Sequence, residues 1–518
     1  NATLDFGGGQ FGHITPVTVS GTGSSGQGAL YNSYSDTPGE LANITLAGNT
    51  SFGGSARWDL ASGSEISGPF SLTVDWSGGA GYGQWNGVTI GANVPQITLT
   101  NSGTLGMTAM DTSCQNPATL FNIGTNDELV LYSGGFNGSL SLYNGAQLVV
   151  YSANVNLGGS TLHVYPGATM YLYAQGIAMT GNSLIFDNGA ALQTYYNGGN
   201  NPINNQVTLN GVAHFVLGNH SESFSNVVSG AGGFVLDYYD HDVVFSSANT
   251  YTGPTVIGSS GNTPEVSLAG NGSISDSSLI FFGGNDPTVG HIDVSGRFDQ
   301  TLTLASGQTL EGVGGINGSL VVSSGAIISP GGTNTTIGIT TGANPVGALA
   351  ASGSITLNGA TIIKLNGTTN DIVETTANLT YGGTLNLANI NSSPLAAGNS
   401  FQIFSAATYS GTFASINPAT PGAGLAWNTS QLSSGIISVV SSSAGPVIGS
   451  TSASGGNFIF SGTGGPDNGT YYVLTSTNLL TPLSSWTPIT TNSFNSSGGF
   501  SVTNSLSAGP HRYFIIKQ

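Results

Sequence analysis

Most chemistry needs ionisable side chains in groups, and this chain of 518 residues holds only 5 Lys+Arg and 23 Asp+Glu. The densest group is the run Asp-Tyr-Tyr-Asp-His-Asp at 237–242. In an extended backbone, alternation puts Asp237, Tyr239 and His241 on one side, and Tyr238, Asp240 and Asp242 on the other. No metal site is expected: the favoured reading of this run is a solvated coil end, and Asp237, Asp240 and Asp242 are the alternative, as candidate metal ligands. A second group, His-Ile-Asp-Val-Ser-Gly-Arg-Phe-Asp-Gln at 291–300, sets Arg297 near Asp293 and Asp299. Hydrolysis of a glycosidic bond takes two carboxylates roughly 5–9.5 Å apart. Elimination from a uronate commonly takes a Lys or Arg beside acidic residues. The whole basic inventory is Arg57, Arg297, Lys364, Arg512 and Lys517, and of these only Arg297 sits in a carboxylate-rich stretch.

The other groups are thinner. His13, His163, His214, His220, His291 and His511 are scattered, without zinc-ligand spacing. Gly-Gly-Asn-Asp-Pro-Thr-Val-Gly at 283–290 reads as a turn, because no Lys-Ser/Thr follows to hold a phosphate. Cys114 is the single cysteine, which excludes an intrachain disulfide. No catalytic residue and no cofactor are expected. A polysaccharide lyase or hydrolase is retained as the least favoured reading.

The elements that would position such groups are strands. Charged residues make up 5% of the chain, against roughly 25% in an ordinary domain. Gly supplies 81 residues, and the good helix formers Glu, Lys and Arg are scarce. Five basic residues exclude a nucleic-acid partner, which demands a donor for each phosphate contact. No apolar run is long enough for a membrane-spanning helix, and membrane insertion is not expected. With a net charge of −18 spread over the whole length, copies of the chain repel one another only weakly.

Glycines 145, 167, 189, 211 and 233 recur every 22 residues. The segments 139–151, 161–173 and 183–195 around them align as strand, tight turn, strand. A period near 22 predicts an all-β fold: a right-handed parallel β-helix (a solenoid of about 22 residues per coil) followed by a small β-sandwich. The expected layout is a β-helix over 1–440 with 1–95 irregular or capping, a linker at 441–447 and the sandwich at 448–518. Alternation after each glycine turns Leu148, Val150, Met170, Leu172, Leu192, Thr194, His214, Val216, Leu236 and Tyr238 inward. The outward set is then aromatic and apolar: Tyr151, Tyr171, Tyr173, Tyr195, Phe215, Leu217 and Tyr239, with Tyr132 one coil earlier. Three readings suit this stripe: rings stacked for stability or covered by other parts of the chain, an interface between subunits, or a platform for a glycan.

The run Ser-Ala-Asn-Thr-Tyr-Thr-Gly-Pro-Thr-Val-Ile-Gly-Ser-Ser-Gly (247–261) resembles the autotransporter-associated β-strand repeat of secreted Gram-negative proteins, with Asn249, Tyr251, Thr252, Gly253 and Thr255 in its core pattern. Residues 310–441 are similar to the end of an autotransporter-type passenger, with Asn370 and Asp371 at that family's Ser-Asp position. Residues 446–518 resemble a terminal module of large secreted proteins of the same kind. The resemblance implies a β-helix, residues with structural rather than catalytic roles, and a secreted, extracellular or cell-surface location on a Gram-negative bacterium. About 75 residues follow the passenger-like ending, too few for a membrane barrel of a dozen strands. The function expected is a structural one: a self-assembling subunit of a filament, sheath or surface layer, whose partners are copies of itself. The alternative is an adhesin that binds a surface polysaccharide.

Overall fold

The computed structural model describes residues 2–7, 16–34, 39–41, 43–60, 62–78, 81–108, 118–153, 155–157, 161–173, 183–194, 200–218, 221–237, 242–258, 264–283, 290–332, 346–442, 445–466, 468–506 and 511–518. It is a parallel β-solenoid with turns of about 23 residues, joined to a second unit made of antiparallel sheets. The first unit comprises 1–391, 402–417 and 432–436; the second comprises 392–401, 418–431 and 437–518.

Each solenoid turn lays short strands against the same strands of the next turn. One ladder runs through Gln96–Thr100, Leu120–Ile123, Ser139–Leu142, Thr161–Val164, Ser183–Phe186 and Gln206–Leu209. A second runs through Thr104–Thr108, Glu128–Leu131, Gln147–Val150, Thr169–Leu172, Ala191–Thr194 and Val212–Leu217. A third begins at Asn200–Ile203 and continues through Ser221–Phe224, Asp242–Phe245, Glu265–Leu268 and His291–Asp293. Strands of four residues suffice because the ladder supplies their hydrogen bonds from above and below.

Alternation fills the interior with files of apolar side chains. Leu105, Leu129, Leu148, Met170, Leu192, Phe215 and Leu236 are successive ladder partners and all are buried. Burial of each contributes roughly 1.5–3 kcal/mol. One turn alone has no inner partner for this face, so cohesion comes from stacking.

The register corrects two of the outward assignments. Leu148, Met170 and Leu192 follow one another at steps of 22, but Leu192 pairs with Phe215, a step of 23, and Phe215 with Leu236, a step of 21. Gly211 is therefore not stacked on Gly189, whose N–H instead donates to the Val212 carbonyl. The one-residue slip turns Phe215 and Leu217 inward, both fully buried, and puts His214 and Val216 on the outer face, half-buried. Phe215 packs on Phe234 at 5.0 Å and on Phe224 at 5.6 Å in the interior.

Within the second unit, residues 447–517 build two three-stranded antiparallel sheets. Val447–Ser454, Asn457–Thr463 and Phe500–Ser505 form one; Thr487–Ser493, Thr470–Ser476 and Tyr513–Lys517 form the other. Phe460, Tyr471, Val473, Phe494, Phe500, Val502 and Ile516 share one core. Tyr471, and not Tyr472, points inward. A bulge between Val473 and Leu474 in the pairing with Thr487–Ser493 lets both of those residues be buried.

Candidate functional site

A concave feature lies on the outer face of the second ladder. Three files of side chains run along it, each set by the parallel register. Thr104, Glu128 and Gln147 are ladder partners and form a polar file. Gly106, Val130, Val149 and Tyr171 form the middle file. Tyr132, Tyr151 and Tyr173 follow the strand ends in successive turns and form the third. All of these except Gly106, together with Tyr82, line a trough of about 500 Å³.

The trough is held from several sides. Thr104 Oγ1 donates to Glu128 Oε2 at 2.9 Å. A Cβ on Gly106 would stand 3.1 Å from the Tyr132 ring and 3.2 Å from the Tyr82 hydroxyl, so glycine leaves room for the two rings. The Arg57 guanidinium sits 4.9 Å from the Tyr82 ring centroid, and is itself bound to Asp59 at 2.7 Å and to Gln84 at 2.7 Å. Burial, then the neighbouring Tyr82, pushes the Tyr132 hydroxyl above its ordinary pKa, so it stays protonated and can donate.

The tyrosine file is partly self-satisfied. Tyr151 and Tyr173 stack at 4.5 Å with planes 12° apart, and Tyr132 leans on Tyr151 at 5.1 Å. Rings stacked along the ladder spend their faces on each other and offer edges and hydroxyls outward. A sugar laid flat on Tyr151 is thereby disfavoured. A second stack, Tyr143 on Tyr165 at 4.9 Å with His163 at 3.9 Å from Tyr165, runs beside the first ladder. His163 Nε2 lies 3.1 Å from Asp187.

Of the predicted site residues, Tyr151, Tyr171 and Tyr173 come together in the trough, and Phe215 and Leu217 belong to the core. Tyr195, Tyr239 and Asp240 lie outside the described residues, as do the side chain of Asp237, Tyr238, His241 and Cys114. Asp242 is half-buried and pairs in register with Glu265, which pairs with His291. Burial pushes the carboxyls of Asp242 and Glu265 upward, with a smaller contribution from Asp293 to the first and from Asp242 and then Asp293 to the second. Among the described residues no three His, Cys, Asp or Glu are grouped so as to hold a metal. Arg297 is paired with Asp299 at 2.9 Å and donates to the Gly272 carbonyl.

Sequence reasoning missed Tyr82, Thr104, Glu128 and Gln147 as members of one site. The steps from Thr104 to Glu128 and from Glu128 to Gln147 are 24 and 19 residues, so no constant period joins them. It also missed the buried acid Asp127, and it named Asp371 only within the passenger-like pattern, without its burial. Asp127 is fully buried and accepts from the Gly103 N–H at 2.8 Å; burial raises its pKa to about 6. Asp371 is fully buried against Lys364 at 2.8 Å and accepts from the N–H groups of Gly347 and Lys364; burial again raises it to about 6.

The residues carrying the autotransporter-like pattern have structural duties. Asn249 accepts from the Val228 N–H at 2.9 Å. Tyr251 lies in the core, and Gly253 backs against Gly232, where a Cβ would come within 2.4 Å of the backbone. No protein-family model matches the chain, and a search of the curated proteins finds no match. The chain is, at the level the geometry defines, a β-solenoid protein.

Proposed function

We propose that this chain is a non-catalytic extracellular structural protein of the autotransporter-passenger kind, a β-solenoid subunit that packs with its own copies into a filament, sheath or surface layer of a Gram-negative bacterium. The observation that carries the reading is where its polar and aromatic groups are used. Tyr151 stacks on Tyr173, Arg57 lies over the Tyr82 ring and binds Gln84, Arg297 donates to the Gly272 carbonyl, and Lys364 donates to Ser329 and the Pro330 carbonyl, so many groups that could do chemistry instead tie one turn to the next. A charge-poor exterior adds little repulsion between copies laid side by side.

Negative-stain imaging and sedimentation of the purified chain over a wide concentration range test this. Ordered, concentration-dependent polymers are expected. A monodisperse monomer at the highest concentration reached overturns the assembly reading.

A further inference from the structure

We infer that the trough between the Thr104–Glu128–Gln147 file and the Tyr132–Tyr151–Tyr173 file is a binding site for a neutral oligosaccharide lying along the solenoid axis. This goes beyond the structural role, which requires no ligand.

The shape suits a chain of rings. From Gly106 to Tyr171 the middle file spans three ladder steps, about 14 Å at the usual strand spacing. Successive turns therefore present equivalent positions at close to the length of one sugar in an extended chain. The floor rises from Gly106 through Val130 and Val149, both nearly buried, to the Tyr171 ring. Tyr82 and Gly106 mark one end and Tyr171 the other.

The walls match the two characters of a pyranose. Its C–H face seeks the apolar floor, and its hydroxyl rim seeks donors and acceptors on both sides. Gln147 offers an amide with two donors and an acceptor, Glu128 accepts, and the tyrosines offer hydroxyls. Because the rings of Tyr151 and Tyr173 cover one another, this wall meets the ligand by edge and hydroxyl, which favours hydrogen bonding over face stacking. The Thr104–Glu128 bond and the Arg57 clamp on Tyr82 set the walls before any ligand arrives, which lowers the ordering cost of binding.

Charge selects the class. Apart from its tyrosines, Glu128 is the one ionisable group lining the trough among the described residues. The Arg57 guanidinium over the Tyr82 ring is already paired with Asp59. A uronate or sulfated chain would bring anions against an unbalanced carboxylate, whereas a neutral chain gives Glu128 a hydroxyl to accept from.

Titration calorimetry of the full chain with cellohexaose, mannohexaose, N-acetylchitohexaose and hexagalacturonate tests the site. At least one neutral hexamer is expected to bind, and hexagalacturonate at least about tenfold more weakly. Gln147→Ala and Tyr171→Ala should each weaken the neutral ligand by about tenfold or more, with unchanged circular-dichroism melting. Glu128→Gln should narrow the preference against hexagalacturonate. The proposal fails if no neutral hexamer binds at millimolar concentration, if both alanine variants bind normally, or if hexagalacturonate binds the native chain as well as the neutral sugars do. It also fails if Tyr171→Ala abolishes self-association while no sugar binds, which would make this face a contact between copies.

Discussion

The Tyr251 hydroxyl lies 2.6 Å from Thr255 Oγ1 in the solenoid interior, where both residues are fully buried. Thr255 Oγ1 is in turn 3.0 Å from Ser277 Oγ, which donates to the Gly253 carbonyl at 2.9 Å. A single hydroxyl chain thus links one turn to the next through apolar surroundings. Burial pushes the phenol of Tyr251 far above its ordinary range, keeping it protonated. Tyr251→Phe should cost about 1 kcal/mol, because Thr255 retains Ser277 as a partner. Thr255→Val should cost more, about 1–3 kcal/mol, because it strands the phenol. Thermal melts, with hydrogen exchange at residues 249–257, check the order of the two effects.

Lys364 and Asp371 form the most deeply buried ion pair among the described residues. Lys364→Met leaves the carboxylate facing no cation and should destabilise by about 3–5 kcal/mol at neutral pH. Adding Asp371→Asn to that variant should restore much of the loss, since the amide oxygen can still accept from the Gly347 N–H. If the double variant melts no higher than Lys364→Met alone, the pair is not the cause.

Acid should stabilise the region around Asp127. Its folded-state pKa of about 6 lies above the roughly 3.9 of a free aspartate. Between those values the folded chain holds a proton that the unfolded chain has released. This contribution is therefore complete below about pH 4, declines as pH rises to about 6, and is absent above. Asp127→Asn should raise the stability at pH 7 by about 1–3 kcal/mol, and its advantage should vanish below pH 4. Melting temperatures of the two proteins from pH 3.5 to 8 give the comparison.

Two glycines of similar spacing should respond very differently to alanine. A Cβ at Gly232 would stand 2.0 Å from the Gly211 carbonyl oxygen, inside backbone that cannot yield without separating two turns. At Gly189 the Cβ meets open space, and the only penalty is its φ of +76°. Gly189→Ala should cost about 1 kcal/mol, and Gly232→Ala several times that. Limited proteolysis should cut near 232 in the second variant only.

Much of the fold was legible because a solenoid is built by repetition. The glycine spacing, the alternation of Leu148 and Val150 or Met170 and Leu172, and the scarcity of helix formers all act within one turn or between adjacent turns. They determined the all-β class, the coil length to within a residue, and the inward files as far as Thr194. The tertiary structure decided whatever depends on how unequal turns align. A step of 23 followed by one of 21 moved Phe215 and Leu217 from the outer face to the core, since a shift of one residue exchanges the faces of a strand. Steps of 24 and 19 brought Thr104, Glu128 and Gln147 into one file beside the tyrosines. The charge-poor composition determined that ionisable groups would be few; only stacking decided that Asp127 and Asp371 would be buried, and that Tyr151 would spend its ring face on Tyr173.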